Sequence, residues 1–335
     1  MGDIVKKTPD SKNVKKVKKC IKKTTKPQAK KTKPNVRVFV AGGSRNGKNP
    51  AYAKAAYELG KEIGKQNYQL TFGLSSRGIM GAVAKGVLES WAKNPKNDHK
   101  PIEGVTTEEY MRRYDTEKEL EEISDIVVAK TLEDRKRHML NAEFVIFMPG
   151  GVGTLDELAF DCVAMQDGLL PKKPFILFNS SGFFHHLLEF LKDIHLKGFA
   201  DFVPFIVVDN VFEAQIAFNM IEQRYTKQKE SDKNTEHILE QIVYDLPYVI
   251  EQKRQHPNKP TVEILNEIHN TFKTKTQKEK NALSHDIETA YLNKEIARMY
   301  DRLEKSGRDT ALVSHKLASL KKRYHKKEKL LNGLY

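Results

Sequence analysis

Between about residues 35 and 225 the apolar positions alternate between two rhythms. Short runs rich in β-branched and aromatic residues predict strands at Val36–Ala41, Tyr68–Phe72, Ile102–Val105, Ile126–Ala129, Phe144–Met148, Phe175–Phe178 and Phe205–Val208. Between the first strands, Tyr52, Ala55, Ala56, Leu59 and Ile63, and then Met80, Val83, Ala84, Val87 and Trp91, recur at the three-and-four spacing of one helix face. Further helices are expected at about 131–142, 154–167, 183–197 and 211–224. Apolar strands alternating with helices predict an α/β, Rossmann-like, mostly parallel sheet with helices on both faces. In such sheets a ligand sits beyond the carboxyl ends of the strands. Three glycine-rich turns, Gly42–Gly47, Gly73–Gly81 and Gly150–Gly153, are expected at that edge.

Outside this region the pattern changes. Residues 1–34 hold 13 lysines against Asp3 and Asp10 and have almost nothing to bury, which predicts a disordered basic tail. Beyond residue 225 the chain is polar and helical, with breaks expected at Pro247 and Pro257. Ile287, Tyr291, Ile296, Met299 and Leu303 suggest one amphipathic helix, and Val313, Leu317, Leu320 and Tyr324 another. The organisation expected is therefore a tail over 1–34, a Rossmann-like domain over 35–225 and a helical, basic extension over 226–335.

Charge changes the picture only at the ends. The net charge is +14, yet the tail accounts for +11, and residues 225–335 carry 22 Lys/Arg against 16 Asp/Glu. The central domain is mildly acidic. A nucleic-acid role would therefore rest on weak electrostatic contact of the tail with nucleic acid or another anionic surface, and no aromatic residue interrupts the lysines to stack bases. Two cysteines, Cys20 and Cys162, supply no disulfide framework and no metal spacing, and the adjacent His185 and His186 face different ways on a helix. No apolar run reaches the roughly 18–20 residues that span a bilayer. The amino terminus has no apolar secretory core, and Lys6 stands where a myristoylation motif needs Ser or Thr. A soluble, reduced, cytoplasmic protein without metal or cofactor is the expectation.

The chemistry concentrates in Phe144–Glu157, where a buried strand runs through Pro149 into Gly150, Gly151 and Gly153, then into a helix opening near Thr154. Glycines allow close backbone approach, and unpaired amides at a helix start favour an anion. Thr154 offers a hydroxyl donor, so phosphate is the natural guest. A competing reading makes Thr154–Glu157 a capping box. On the preceding helix, Arg135 and Lys136 either pair with Glu133 or Asp134 in solvent or reach the same sheet edge. Spacing alone leaves both open.

These residues resemble the Lonely Guy (LOG) family of phosphoribohydrolases, proteins often mislabelled as lysine decarboxylases. The family's Pro-Gly-Gly-x-Gly-Thr-x-x-Glu stands here as Pro149–Glu157, and its Arg-Lys-x-x-Met as Arg135–Met139. Weaker echoes are Gly42-Gly43-Ser44, Gly78-Ile79-Met80-Gly81, and Gln166 through Lys173-Pro174, so the likeness covers about residues 36–224. The resemblance implies hydrolysis of the N-glycosidic bond of a purine nucleoside 5′-monophosphate, either AMP or an N6-modified adenine nucleotide of the cytokinin-precursor kind. Free base and ribose 5-phosphate would be released. It implies Arg135 and Glu157 as catalytic residues, Gly150, Gly151, Gly153 and Thr154 as the phosphate loop, and Gly43, Ser44, Lys136, Gly78 and Met80 as further substrate contacts. It also implies a homodimer. The alternative is a non-catalytic binder of a nucleotide or phosphorylated cofactor, since related folds bind molybdopterin-type ligands. Decarboxylation would want a Lys Schiff base with pyridoxal chemistry, and no matching Lys environment is readable. The chain departs from the family after strand two, where Gly73-Leu74-Ser75-Ser76-Arg77 replaces a run of three glycines. Bulkier residues there are expected to narrow or reshape the pocket, and Arg77 to offer a further phosphate contact. Glu133 replaces a family His, Val163-Ala164 a Thr-Trp pair, and about Glu89–Lys100 is a longer stretch.

Overall fold

The computed structural model describes residues 36–93, 99–113, 124–200, 205–223 and 235–274. The basic tail and the two amphipathic segments at 287–303 and 313–324 lie outside these residues. Seven strands form one sheet: β1 (Arg37–Ala41), β2 (Gln69–Phe72), β3 (Ile102–Thr107), β4 (Ser124–Ala129), β5 (Phe144–Phe147), β6 (Phe175–Phe178) and β7 (Phe205–Val208). Their order is β4-β3-β2-β1-β5-β6-β7, and every pairing is parallel. The central strands β1, β2, β5 and β6 are buried almost throughout, as a sheet covered on both faces requires.

The helices are α1 (Pro50–Lys65), α2 (Gly78–Trp91), α3 (Glu108–Arg113), α4 (Leu132–Leu140), α5 (Val152–Gln166), α6 (His185–Leu196), α7 (Val211–Ile221), α8 (Thr235–Gln255) and α9 (Thr261–Thr274). Met139 of α4, Leu158 and Ala164 of α5, and Leu187 and Leu188 of α6 share one core with Phe39, Val145, Phe147, Phe175 and Leu177 of the sheet. On the other face, Phe144 of β5 packs against Phe218 of α7 at a centroid distance of 5.5 Å, and α7 in turn contacts α1. The chain winds outward from β1 through β4, returns to β5 beside β1, then winds the other way. The loops after β1 and β5 therefore meet where the winding reverses, the place such sheets reserve for a ligand.

Two details fix that meeting place. Helices α1 and α2 touch backbone to backbone: a Cβ at Gly64 would stand 2.7 Å from the carbonyl of Val87, and one at Gly86 2.8 Å from the amide of Lys61. The phenol of Tyr57 also donates to the Glu89 carboxylate across that contact, a bond that pushes the tyrosine up to about 12 and lowers the carboxyl. Beyond β2, Leu74 holds a left-handed backbone at φ 57°, a conformation that usually costs a non-glycine residue about 1–2 kcal/mol. Its side chain is 4% exposed and fills the space above Gly104, where a Cβ would collide with it. The expectation that a bulkier turn narrows the pocket is thus corrected for Leu74. It keeps a glycine-like backbone and turns its side chain into the core, while Arg77 stands exposed.

The break expected at Pro247 is also absent, for α8 runs through it from Thr235 to Gln255. Proline inside a helix costs about 3 kcal/mol through its missing amide and ring clash. Burial of Ile238, Leu239, Ile242, Leu246, Val249 and Ile250 holds the helix against that cost. Arg254 then donates to the buried Glu213 of α7 at 2.8 Å. One compact unit runs to Val262 and a second begins at Glu263. No helix among the described residues is long and apolar enough to cross a membrane.

Candidate active site at the carboxyl edge of the sheet

Helix N-termini show where an anion has room. Asn49 caps α1, Thr131 caps α4 and Asn210 caps α7, each accepting a backbone amide at 3.0 Å. Helix α2 has no side-chain cap, but the carbonyl of Gly43 takes the amides of Ile79 and Met80 at 2.9 and 3.3 Å. Helix α5 differs. Its N-cap is Gly151, with no side-chain cap bond and no acidic residue in the first turn. Its leading amides have no partner within the helix, and its dipole meets no side-chain anion. Nothing lies within 4 Å of where a Cβ would be at Gly151 or Gly153. That end is open, bare and positive.

The helix therefore starts at Val152, earlier than the capping-box reading requires. Thr154 is already inside the first turn and 6% exposed, turned back onto Gly150, where any Cβ would collide with its Oγ1. A Cβ at Gly150 would also stand 2.9 Å from the amide of Gly43. That amide donates to the carbonyl of Pro149 at 3.1 Å. The turns after β1 and β5 are clasped together, Gly43 spending its amide on that clasp and its carbonyl on the start of α2. Gly78 (φ +64°) lies against the Ser44–Arg45 backbone. Ser44 stands exposed at the rim, and Met80 is half-buried beside Gly73 and Arg135.

Arg135 is fixed from every side. Its Nε donates to the carbonyl of Val105 at 2.9 Å, and the Tyr110 ring lies 5.3 Å from its Cζ. Gly73 makes room for Nη2, since a Cβ there would strike it. Nη1 stands 3.8 Å from Oε1 of Glu157, with the two side chains 11% and 18% exposed. Burial holds the guanidinium below its usual value, against the opposing pull of Glu157 and Tyr110. Burial also pushes Glu157 up from 4.5 to about 7, with Arg135 restraining the rise, Asp156 adding to it and Lys136 opposing it. A carboxyl held near neutrality beside a fixed cation can accept a proton or steady a developing cation.

The structure thus brings Arg135, Glu157 and the Gly150–Thr154 loop to one sheet edge. Lys136 goes elsewhere, with Nζ at 3.1 Å from both Asp156 oxygens and 4.6 Å from the Phe160 ring centroid. Glu133 pairs with Arg137 at 2.8 Å, so the solvent pairing considered for Arg135 is overturned. Sequence reasoning missed Tyr110 and the Val105 carbonyl, both delivered by the crossing from β3 into the short α3. It also missed Asp161, which lies behind the site near Lys173, a residue singled out only as part of the family likeness. The i, i+4 spacing of Glu157 and Asp161 was the readable signal for Asp161.

A family model described as possible lysine decarboxylase matches residues 80–231. The chain is 32% identical over 164 residues to a cytokinin riboside 5′-monophosphate phosphoribohydrolase of Arabidopsis thaliana, covering 49% of this chain and 70% of the relative. It is also 32% identical over 164 residues to a protein of the same name from Oryza sativa subsp. japonica, covering 49% of this chain and 63% of the relative, under two thirds of its length. Another rice relative, at 33% identity, is covered over 62% of its length. Among solved structures, the molybdenum cofactor carrier protein of Chlamydomonas reinhardtii aligns with a TM-score of 0.42 at 20% identity, covering 56% of this chain and 99% of that one.

Proposed function

Because the chain belongs to the Lonely Guy family of cytokinin riboside 5′-monophosphate phosphoribohydrolases, we propose that it hydrolyses the N-glycosidic bond of a purine nucleoside 5′-monophosphate. The observation that carries this reading is the Arg135–Glu157 pair standing over an uncapped, glycine-started helix. The α5 amides would take the 5′-phosphate, with Arg135 holding a phosphate or sugar oxygen. This spends binding energy remote from the reacting bond on orientation.

The reaction passes through an oxocarbenium-like state at C1′. Glu157 as carboxylate steadies that charge and takes a proton from the attacking water. The water oxygen bonds C1′ as the C1′–N bond breaks, its electron pair leaving with the base, which is protonated from solvent. The products are free base and ribose 5-phosphate. AMP and N6-modified adenine nucleotides are the proposed substrates.

We also propose a homodimer. Val152, Leu155 and Val163 lie along one exposed side of α5 at 83%, 48% and 54% exposure, an apolar stripe that starts at the phosphate loop.

Incubating the purified protein with a panel of nucleoside 5′-monophosphates, and following base and ribose 5-phosphate by chromatography, tests the activity. Glu157→Ala is expected to abolish release. Folded Glu157→Ala protein that keeps the parent rate overturns the assignment. Retention of a nucleotide without turnover by the parent protein supports a binder instead.

A further inference from the structure

One group near the site has no part in the scheme above. Asp161 lies one helical turn after Glu157 on α5, is 0% exposed, and neither of its carboxyl oxygens has a hydrogen-bond partner. A buried ionised carboxylate without hydrogen bonds is costly enough that the group keeps its proton instead. The nearest opposite charge comes from the segment before β6, where Lys173 is 4% exposed and its Nζ donates to the carbonyl of Ala142 at 3.2 Å. From α4, Arg135 faces Glu157 and Lys136 pairs with Asp156, which flanks Glu157 on its own helix. Cys162, the neighbouring thiol, is pushed up to about 12 by burial and by Asp161, so it stays neutral.

We propose that Asp161 is a positioning residue for the reaction: it and Glu157 hold a single negative charge between them through neutral pH, with Lys173 as the buried counter-charge. This rests on the hydrolase reading only for its catalytic consequence. The spacing puts both carboxyls on one side of α5, and the absence of any hydrogen bond to Asp161 makes its protonated form the resident one. Glu157 faces Arg135 and loses its proton first, near 7. Asp161 follows, near 8, held up by burial and by the Glu157 charge, with Lys173 pulling the other way. Between the two steps Asp161 is neutral, and the one charge sits on Glu157, where the sugar would be. Above it, a second charge one turn behind Glu157 makes Glu157 a stronger proton acceptor. Interacting carboxyls titrate in two steps that belong to the pair.

The test uses the full chain without substrate, in two preparations, one carrying carbon-13 at the Asp side-chain carboxyls and one at the Glu carboxyls. Titration by NMR is expected to show one Asp carbon with its midpoint near pH 8 and one Glu carbon near pH 7, each curve bearing a minor inflection at the other's midpoint. No Asp carbon titrating above pH 6.5, or an Asp curve without the Glu inflection, overturns the proposal. Asp161→Asn is expected to remove the upper inflection from the pH profile of kcat/KM for AMP while leaving KM within about twofold. A profile that superimposes on the parent from pH 6 to 9.5 overturns it. If no nucleotide releases base, the hydrolase reading fails, and the NMR titration still decides whether the two carboxyls are coupled. Glu157→Gln supplies a further readout, lowering the Asp161 midpoint by removal of the like charge.

Discussion

Replacing Glu157 by Gln should make the protein more stable and less active, and the gain should depend on pH. The carboxyl is 18% exposed and is raised from 4.5 to about 7, chiefly by burial. A carboxyl raised on folding binds its proton more tightly in the native state. Its contribution is fully present below pH 4.5, is lost as pH rises through the folded-state value, and is gone above about pH 7. At about 1.4 kcal/mol per pH unit, the parent forfeits about 3 kcal/mol between those limits. Glutamine, close in shape to the protonated acid, carries no such penalty. Urea unfolding followed through Trp91, the single tryptophan and 1% exposed, should give similar midpoints for the two proteins at pH 4.5. At pH 8.5 the variant should be ahead by about 3 kcal/mol, provided the slopes agree. The same variant should lose base release by about a hundredfold or more. Equal differences at both pH values, or a variant weaker at pH 8.5, would show that Glu157 is not the desolvated group described above.

The remaining expectations are more local. The kcat/KM for AMP should rise through about pH 7 as Glu157 ionises, in assays that separate this limb from the substrate phosphate, whose own second ionisation lies near pH 6. Gly150→Ala should weaken nucleotide affinity and cost about 1–3 kcal/mol, because the added methyl meets Thr154 and the Gly43 amide, whereas Gly151→Ala should leave the melting temperature unchanged. Calorimetry and thermal melts distinguish the two, and equal effects would count against the clasp. Gly104→Ala should destabilise by about 1–3 kcal/mol by displacing Leu74, and Leu74→Ala in the same chain should recover part of it; a strictly additive double-mutant cycle would refute that contact. Val163→Glu should shift light scattering toward the protomer mass if α5 carries the dimer face, and an unchanged mass would remove that surface from consideration.

The sheet was legible because its strands are covered on both faces. Phe144–Phe147 and Phe175–Phe178 are apolar at every position, as are Phe205–Val208 and Val38–Ala41. Strand edges were less so: β3 continues to Thr107 and β4 begins at Ser124, polar residues that the sheet pairs but whose pattern carries no apolar signal. The glycine-rich turn after β5 was legible from its glycines, but not the point where the helix starts. A threonine followed three residues later by a glutamate has the same spelling whether or not it caps. Leu74 was misread because a residue's side matters as much as its bulk, and the partner that receives it, Gly104, lies 30 positions away. Pro247 was misread because tertiary burial overrode a local rule. The cradle of Arg135 could not have been found, since the Val105 carbonyl is a backbone atom and Tyr110 comes from a crossing whose geometry only the assembled sheet sets.

The glycine contact between α1 and α2 has a mechanical consequence. Where two helices meet through their main chains, as at Gly64 and Gly86, there is little side chain to change rotamer, so they slide or part only by breaking the contact. Their leading turns carry the loops from β1 and β2, which makes that wall of the crevice a fixed anvil. Any breathing that the proposed reaction requires has to be supplied by the opposite wall, where α4 and α5 meet through the Lys136–Asp156 ion pair and Asp156 is 61% exposed.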